Sequence, residues 1–481
     1  MLVRRLNAEK VAYGILGCLL LLLIFKKAAQ IPVTHDEVNT IELSYRSVRD
    51  IVSYADPVPN NHILNTLLIK AGHAIYGDRL VMSRFHNVLS FIPFFVFTLL
   101  LGRILFADTW LRFAWISVMS LQPYLLDFFS VTRGYGLSVA FEMVSLYYLF
   151  KRLDTHETKH LFFALFWAGV GVYANFTLLN YFIPLGFVLL IHSLKIHKRV
   201  ASSGFLMEFL LMLLTATILG GMSIVPFMRM ASTGQFVFWG NQGFFTDTII
   251  PLISSCRVGV PYFKWSNEVI AYLITGGITA ILFLALWIGK RNFWANRLSV
   301  AVGLLGLVLL YNHLQFWLAD VPFLNARTAL FLIPLVLLVL TLGVQTLLQQ
   351  KPVLGLCISL FIGLLSVQHF IRGYNGKSCY EWYYDADTHA VLQEIIKIKE
   401  NEQLHSPVSV NCHWIFYPSL YYHINHDYPG QIELIPYHKE VQPESNTVFY
   451  YTQSDEEEAL KARFGIIQRY GWGSRLLLRH L

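Results

Sequence analysis

Two carboxylates stand side by side at Asp36 and Glu37, with His35 before them, just after the first long apolar run of the chain. A carboxylate held where a chain leaves an apolar phase can act as a general base, provided a hydroxyl proton lies within hydrogen-bond reach. A plainer role is also open. Thr34-x-x-Glu37 is a capping box, and acids in a first helical turn suit the helix dipole. The two roles coexist, because a cap also fixes where the acid points. His35, Glu37 and His62 offer ligand atoms for a divalent metal, but without the spacing of a metal motif the structural or solvated reading of each histidine is the better one.

The basic groups that could meet an anion are Arg133, in 121-LQPYLLDFFSVTRGYGLS-138, and Arg327, in 311-YNHLQFWLADVPFLNARTALFLIP-334. Each precedes an apolar run. A guanidinium near membrane depth either faces a cavity or partner or snorkels to headgroups. In a cavity its planar fork suits a phosphate. Asn312, His313, Gln315 and Asp320 share the Arg327 segment, and Tyr173, Asn175 and Asn180 flank another turn. Glu142 and Glu208 are the acids that fall elsewhere in the apolar runs. Transporters usually keep polar groups near mid-membrane on broken helices, a pattern missing from these residues.

The elements that must position these groups are membrane helices. The 481 residues are 55% hydrophobic and 14% charged, against about a quarter charged in soluble domains. Apolar runs long enough to span the roughly 20 residues of a bilayer core fall near 11–29, 87–106, 110–128, 135–151, 161–174, 177–194, 205–225, 267–289, 298–318, 328–347 and 353–371, those at 11 and 161 being short. The first follows MLVRRLNAEK without a small-residue cleavage site and reads as an uncleaved signal anchor.

With the N-terminus inside, the basic clusters Lys151/Arg152/Lys159, Lys195/Lys198/Arg199, Lys290/Arg291/Arg297 and Lys351 fall on one side, as the positive-inside rule requires. These loops account for the +7 net charge without invoking nucleic acid. Asp36, Arg133 and Arg327 then lie on the opposite, extracytoplasmic face.

Three outer segments are long: 30–86, 226–266 and the tail. In the first, Ile41, Tyr45, Val48 and Ile51/Val52 recur at helical spacing, which predicts an amphipathic helix at the membrane surface. A second such helix is expected near 60–69, after 57-PVP-59. The segment 226–266 carries Phe236, Phe238, Trp239, Phe244 and Phe245, either an interfacial aromatic belt or a cover over a bound ligand.

The expected architecture is therefore an all-α polytopic membrane protein of about eleven spans, residues 1–371. A small α/β extracytoplasmic domain follows over 372–481, with helices near 387–400 and 454–464 and strands in 407–416 and 446–452. No two of the five cysteines share C-x-x-C spacing. Cys18 and Cys357 read as core thiols, and Cys379 and Cys412 could pair in an oxidising compartment.

The order of motifs is distinctive over about 30–155. After the Asp-Glu pair come 59-PNNHILN-65, 77-GDRLVMSRF-85 and the 133-RGYG-136 start of a run ending 146-LYYLFKR-152. This resembles the GT-C superfamily of membrane glycosyltransferases, in the branch of the protein O-mannosyltransferases and the lipid A aminoarabinose transferase. The resemblance implies inverting transfer of a sugar, hexosyl or pentosyl, from a polyprenyl-phosphate donor to a hydroxyl acceptor at the extracytoplasmic face.

It also implies residue roles. Asp36 matches the family's acid in the first outer loop, a base or acceptor-positioning group, and Glu37 its partner. Arg133 matches an arginine on the donor phosphate, and Arg327 a second basic residue near the carrier lipid. His35, Asn61, His62 and Tyr135 become substrate or metal contacts. Asn60-Asn61-His62 departs from the family's usual H-P-P-L-Y-H, which puts the role of His62 in doubt. Metal use varies across the superfamily, so the cofactor stays open, a divalent metal included. A lipid-linked-sugar flippase, or a non-catalytic subunit of envelope polysaccharide assembly, would fit the topology as well. A bacterial inner membrane is the expected location.

Overall fold

The computed structural model describes residues 2–200, 202–235, 240–258, 265–289, 293–349 and 351–481. Phe236, Phe238, Trp239, Lys290 and Arg291 lie outside the described residues. The chain divides into two compact units, one of residues 1–25 and 46–374, the other of residues 26–45 and 375–481.

The first unit is helical. Ten of the eleven predicted spans have one helix each: Leu2–Gln30, Leu80–Leu105, Tyr135–Thr155, Thr158–Ala174, Leu179–His197, Ser203–Ser232, Asn267–Ile288, Arg297–Ala319, Leu332–Leu348 and Pro352–Gly373; the span predicted at 110–128 breaks before Pro123 into Thr109–Ser120 and Pro123–Asp127. Seven of these regions are long and apolar enough to cross a membrane by length and composition. Leu332–Leu348 is a shorter apolar helix. The outward surface of the Ser203–Ser232 helix exposes Leu213, Leu214 and Ile218 by half or more, which only an apolar solvent tolerates. The chain is a multi-pass membrane protein.

Polar cross-links brace the basic loops. Arg152 and Glu208 are both essentially fully buried; Arg152 Nη2 donates to both Glu208 carboxylate oxygens, at 2.7 and 2.9 Å, and Thr158 Oγ1 donates to Glu208 at 2.8 Å. Arg297 reaches Asp154 at 2.8 Å. Two expectations fail in this unit. Cys18 and Cys357 are exposed rather than core thiols. In a membrane helix an apolar run faces lipid as readily as protein: only 11% of the apolar window of Pro352–Gly373 is buried.

The predicted surface helix over 41–52 is two helices, His35–Ser44 and Val48–Ser53. Ser47 ends the first pattern by capping the second, accepting the Asp50 N–H at 3.1 Å. Ile41 and Ile51 are buried, while Tyr45 and Val48 between them are half exposed, so the stripe is not one face. The second predicted helix is present as Ile63–Tyr76.

The second unit is α/β. Its strands β1 (Val408–Cys412), β2 (Ile432–Leu434), β3 (Phe449–Gln453), β4 (Phe464–Tyr470) and β5 (Arg475–His480) form one sheet in the order β2-β1-β3-β5-β4. β1 runs parallel to β2 and β3, and β5 runs antiparallel to β3 and β4. The parallel β1–β2 step needs a crossover, supplied by the helix Tyr417–Asp427. That helix and Thr388–Asn401 seal the core through Leu392, Ile395, Leu420 and Ile424 against Val410 and Phe449. The helix predicted near 454–464 is only the turn Ser454–Glu456 and Glu457–Leu460, because β4 begins at Phe464. Cys379 and Cys412 are buried free thiols.

Candidate functional site

The acid pair sits in the second unit. Thr34 is extended (φ −88°, ψ 157°) and the helix His35–Ser44 starts directly after it. The first amide groups of a helix have no partner inside it, so this start needs acceptors. Glu37, with no exposed surface, turns its Oε2 back to the Thr34 N–H at 2.9 Å, the reciprocal bond of a capping box. The other acceptors come from the tail. Asp385 Oδ2 takes the His35 N–H at 2.7 Å, and His423 Nε2 takes the Val33 N–H at 3.1 Å. Ser419 Oγ donates to the Val33 carbonyl at 2.7 Å, and His35 Nδ1 donates to the Ile415 carbonyl at 2.9 Å. Asp36 remains half-buried.

Asp385 is a third carboxyl of this cluster and is 2% exposed. Burial pushes its pKa well above the ordinary aspartate range, and the charges of Asp36 and Glu37 push the same way. The His35 N–H and Arg475 oppose this without reversing it.

The predicted donor-binding residues, Arg133 and Arg327, belong to the first unit. Arg133, 2% exposed, lies two residues before the helix Tyr135–Thr155. Its Nη2 donates to Asn60 Oδ1 at 3.2 Å and its Nη1 reaches the Asn60 carbonyl at 3.4 Å. The guanidinium lies 6.0 Å from the Tyr135 ring centroid, and the His62 ring meets the same ring edge-on at 5.2 Å. Asn61 is structural: Nδ2 donates to the Ile51 carbonyl at 2.9 Å, its Oδ1 accepts from Thr66 Oγ1 at 3.2 Å, and its own carbonyl accepts from Tyr54. The turn depends on Gly134. A Cβ there would stand 1.9 Å from the Ala174 carbonyl oxygen and 3.0 Å from the His62 Cβ. Arg327 occupies the turn Ala326–Ala329, which packs on the helix Ile250–Cys256 and leads into Leu332–Leu348. Of the aromatics near 240, Phe244 packs on His313 and Phe323, and Phe245 stacks on Tyr272 at 4.7 Å.

The first unit also holds a cavity of about 320 Å³ between its helices. Its wall is apolar, with Leu252, Ile274, Ile278, Val336 and Leu340. A few polar groups join it: Gln122, which donates to the Cys256 carbonyl at 3.2 Å, Arg257 next in the chain, and His369. Arg257 Nη2 donates to the Trp265 carbonyl at 3.1 Å. An apolar cavity with a cation in its wall suits an amphiphile with an apolar tail and an anionic head.

The sequence reading named all of these residues as one outer site; the structure groups His35, Asp36 and Glu37 in one cluster and Asn61, His62, Arg133 and Tyr135 in another, with Arg327 in the turn Ala326–Ala329. The sequence reading missed Asp385, His423, Asn60 and Arg257. Arg257 had a signal, a lone cation closing the apolar stretch 249-IIPLISSC-256. Asp385 and His423 had none, because they act from 350 and 390 residues away.

Among the described residues, His389, His423 and Asp427 have ligand atoms close enough for one cation. The hydrogen bonds of His423 argue against that use. Accepting the Val33 N–H at Nε2 places the ring proton on Nδ1, which lies 2.7 Å from Asp427 Oδ2. No ring lone pair is left for a metal.

Neither a family model nor a curated protein matches the sequence. Solved structures match the fold. ArnT from Cupriavidus metallidurans in the apo state superposes with a TM-score of 0.52 over 98% of each chain, at 12% identity. The same protein bound to undecaprenyl phosphate superposes with a TM-score of 0.52 over 99% of this chain and 98% of that one, at 11% identity. At that identity the likeness is one of fold, and the expected architecture, a polytopic helical part followed by a small α/β domain, is the one this chain has.

Proposed function

We propose that this chain is a membrane glycosyltransferase that moves a sugar from a polyprenyl-phosphate donor to a hydroxyl acceptor, with inversion at the anomeric carbon. The observation that carries the reading is the apolar cavity with Arg257 in its wall, in a fold shared end to end with a protein that binds undecaprenyl phosphate. The prenyl tail fits the wall of Leu252, Ile278 and Leu340, and Arg257 suits the phosphate.

Roles follow from the chemistry of each group. The acceptor oxygen attacks the anomeric carbon, and the bond from that carbon to the phosphate oxygen breaks. The polyprenyl phosphate leaves with the electron pair. Asp36 takes the acceptor's proton, and Glu37 holds the helix start that aims it. Arg133, fixed by Asn60 and desolvated, stabilises the charge growing on the phosphate, and Arg327 adds a second positive group. Preorganised cations of this kind contribute about 3–4 kcal/mol each in a dry site. The clustering of basic residues in alternate loops supports a cytoplasmic N-terminus with the acid-bearing side outside, and we propose a bacterial inner membrane as the location. Whether a divalent metal takes part is a question for chelation in the same assay.

Purified protein supplied with lipid-phosphate sugars and candidate acceptors, read by mass spectrometry, tests the reading. Asp36→Asn should abolish transfer and leave folding intact. Undiminished transfer by that variant removes Asp36 as base. Movement of lipid-linked sugar across liposomes with no glycosidic product would favour a flippase instead.

A further inference from the structure

The start of the acid-bearing helix is held by the tail as well as by its own neighbour Glu37. Three successive amides, those of Val33, Thr34 and His35, point to side-chain acceptors. Only Glu37 is local. The other two acceptors, His423 and Asp385, are buried residues of the α/β fold. They grip the segment from different elements. Asp385 precedes the helix Thr388–Asn401, and Ile415 follows the carboxyl end of β1. Ser419 and His423 lie on the crossover helix Tyr417–Asp427, four residues apart and so on one face.

The His35 ring adds edge contacts to Trp414, with centroids 5.9 Å apart, and Tyr384, at 6.4 Å. The carboxyl end of a parallel strand is where α/β sheets commonly place a ligand. Here part of that position is filled by the protein's own residues 33–37.

Each contact has a defined donor. The Val33 N–H makes His423 Nε2 an acceptor, which puts the ring proton on Nδ1 facing Asp427. The Ile415 carbonyl makes His35 Nδ1 a donor in the same way. Asp427 therefore sets the tautomer that lets His423 hold Val33, much as a carboxylate orients a catalytic histidine.

We propose that the tail domain is a positioning clamp for Asp36, with Asp385 and His423 as positioning residues that fix the backbone on which the acid is carried. The proposal deepens the glycosyltransferase reading and rests on it for its kinetic consequence. A general base must stay within hydrogen-bond reach of its proton, and about 1 Å of misplacement costs on the order of a hundredfold in rate.

The test uses the full-length protein in nanodiscs with four variants. His423→Leu and Asp385→Ala remove the acceptors. His423→Gln and Asp385→Asn keep an oxygen that can accept the same amide. Hydrogen exchange of the peptide 33–44 is followed alongside transfer kinetics. His423→Leu and Asp385→Ala should speed exchange there by about tenfold, the loss of one buried bond. They should lower kcat by roughly tenfold to a hundredfold with the donor KM unchanged, and the Gln and Asn variants should recover both.

Unchanged exchange in the Leu and Ala variants overturns the clamp, whatever the activity. Faster exchange with kcat intact, or a rise confined to the acceptor KM, overturns the positioning role and makes the tail an acceptor-binding module. Full transfer by Asp36→Asn refutes the base assignment separately, while the exchange data still judge the clamp.

Discussion

Gly134→Ala isolates one physical cause, because Gly134 has φ −63° and ψ −3°, a conformation alanine adopts freely. No backbone strain is introduced. What changes is space: the new methyl would stand 1.9 Å from the Ala174 carbonyl oxygen, whereas real Cβ contacts essentially never fall below 3.0 Å. About 1 Å of movement must follow, and the obstacle is backbone, which cannot rotate away. Arg133 is the adjacent residue, and its bonds to Asn60 already span 3.2 and 3.4 Å. A shift of that size breaks both. Overpacking of this kind costs about 1–3 kcal/mol of stability. Loss of the Arg133 fork should lower kcat/KM for the lipid-phosphate sugar by on the order of a hundredfold.

The assay is steady-state transfer with a thermal melt of the same preparation. Gly186→Ala is the control, since a Cβ there meets nothing within 4 Å in the middle of a helix. It should leave activity alone and stabilise by up to about 1 kcal/mol. Wild-type kcat/KM and an unchanged melting temperature for Gly134→Ala would refute the packing argument.

Glu208→Ala leaves the Arg152 guanidinium buried without its carboxylate and should destabilise the first unit by about 3–5 kcal/mol; a chemical-denaturation midpoint equal to wild type would contradict this. Arg257→Ala should weaken binding of undecaprenyl phosphate by about 10- to 100-fold, the value of one charge-assisted bond, as measured by native mass spectrometry or a thermal-shift titration.

Asp385 gives the tail a pH dependence of definite sign. Its pKa is raised on folding, so the folded chain keeps that proton to higher pH than the unfolded chain, whose aspartates titrate near 3.9. The stabilisation is full below that value and is lost as pH rises through the folded value. Asp385→Asn, which keeps the acceptor for the His35 N–H, should flatten the slope; an identical pH profile for the two proteins, followed by tryptophan fluorescence of the tail, would exclude the effect.

The helices were legible because lipid makes a strong demand on sequence: a span needs about twenty apolar residues whatever it packs against. The same demand hid which side of each helix meets protein, so Cys18 and Cys357 read as buried and are exposed. The Thr34–Glu37 capping box was legible because it is local, and its Glu37-to-Thr34 bond is present. The break at Ser47 was equally local, but apolar spacing across 41–52 outweighed a single serine in the reading.

What no pattern could reveal is that residues 26–45 pack with 375–481. Periodicity and propensity report on neighbours within a few residues, whereas His35 and Asp385 are separated by 350 positions. That separation has a chemical consequence. If Asp36 were held by its capping box alone, its orientation would rest on one local bond, in the part of a helix most prone to fraying. Acceptors supplied by a separate hydrophobic core, Leu392, Leu420 and Phe449 among its members, tie the acid to a structure that does not open when the helix end does.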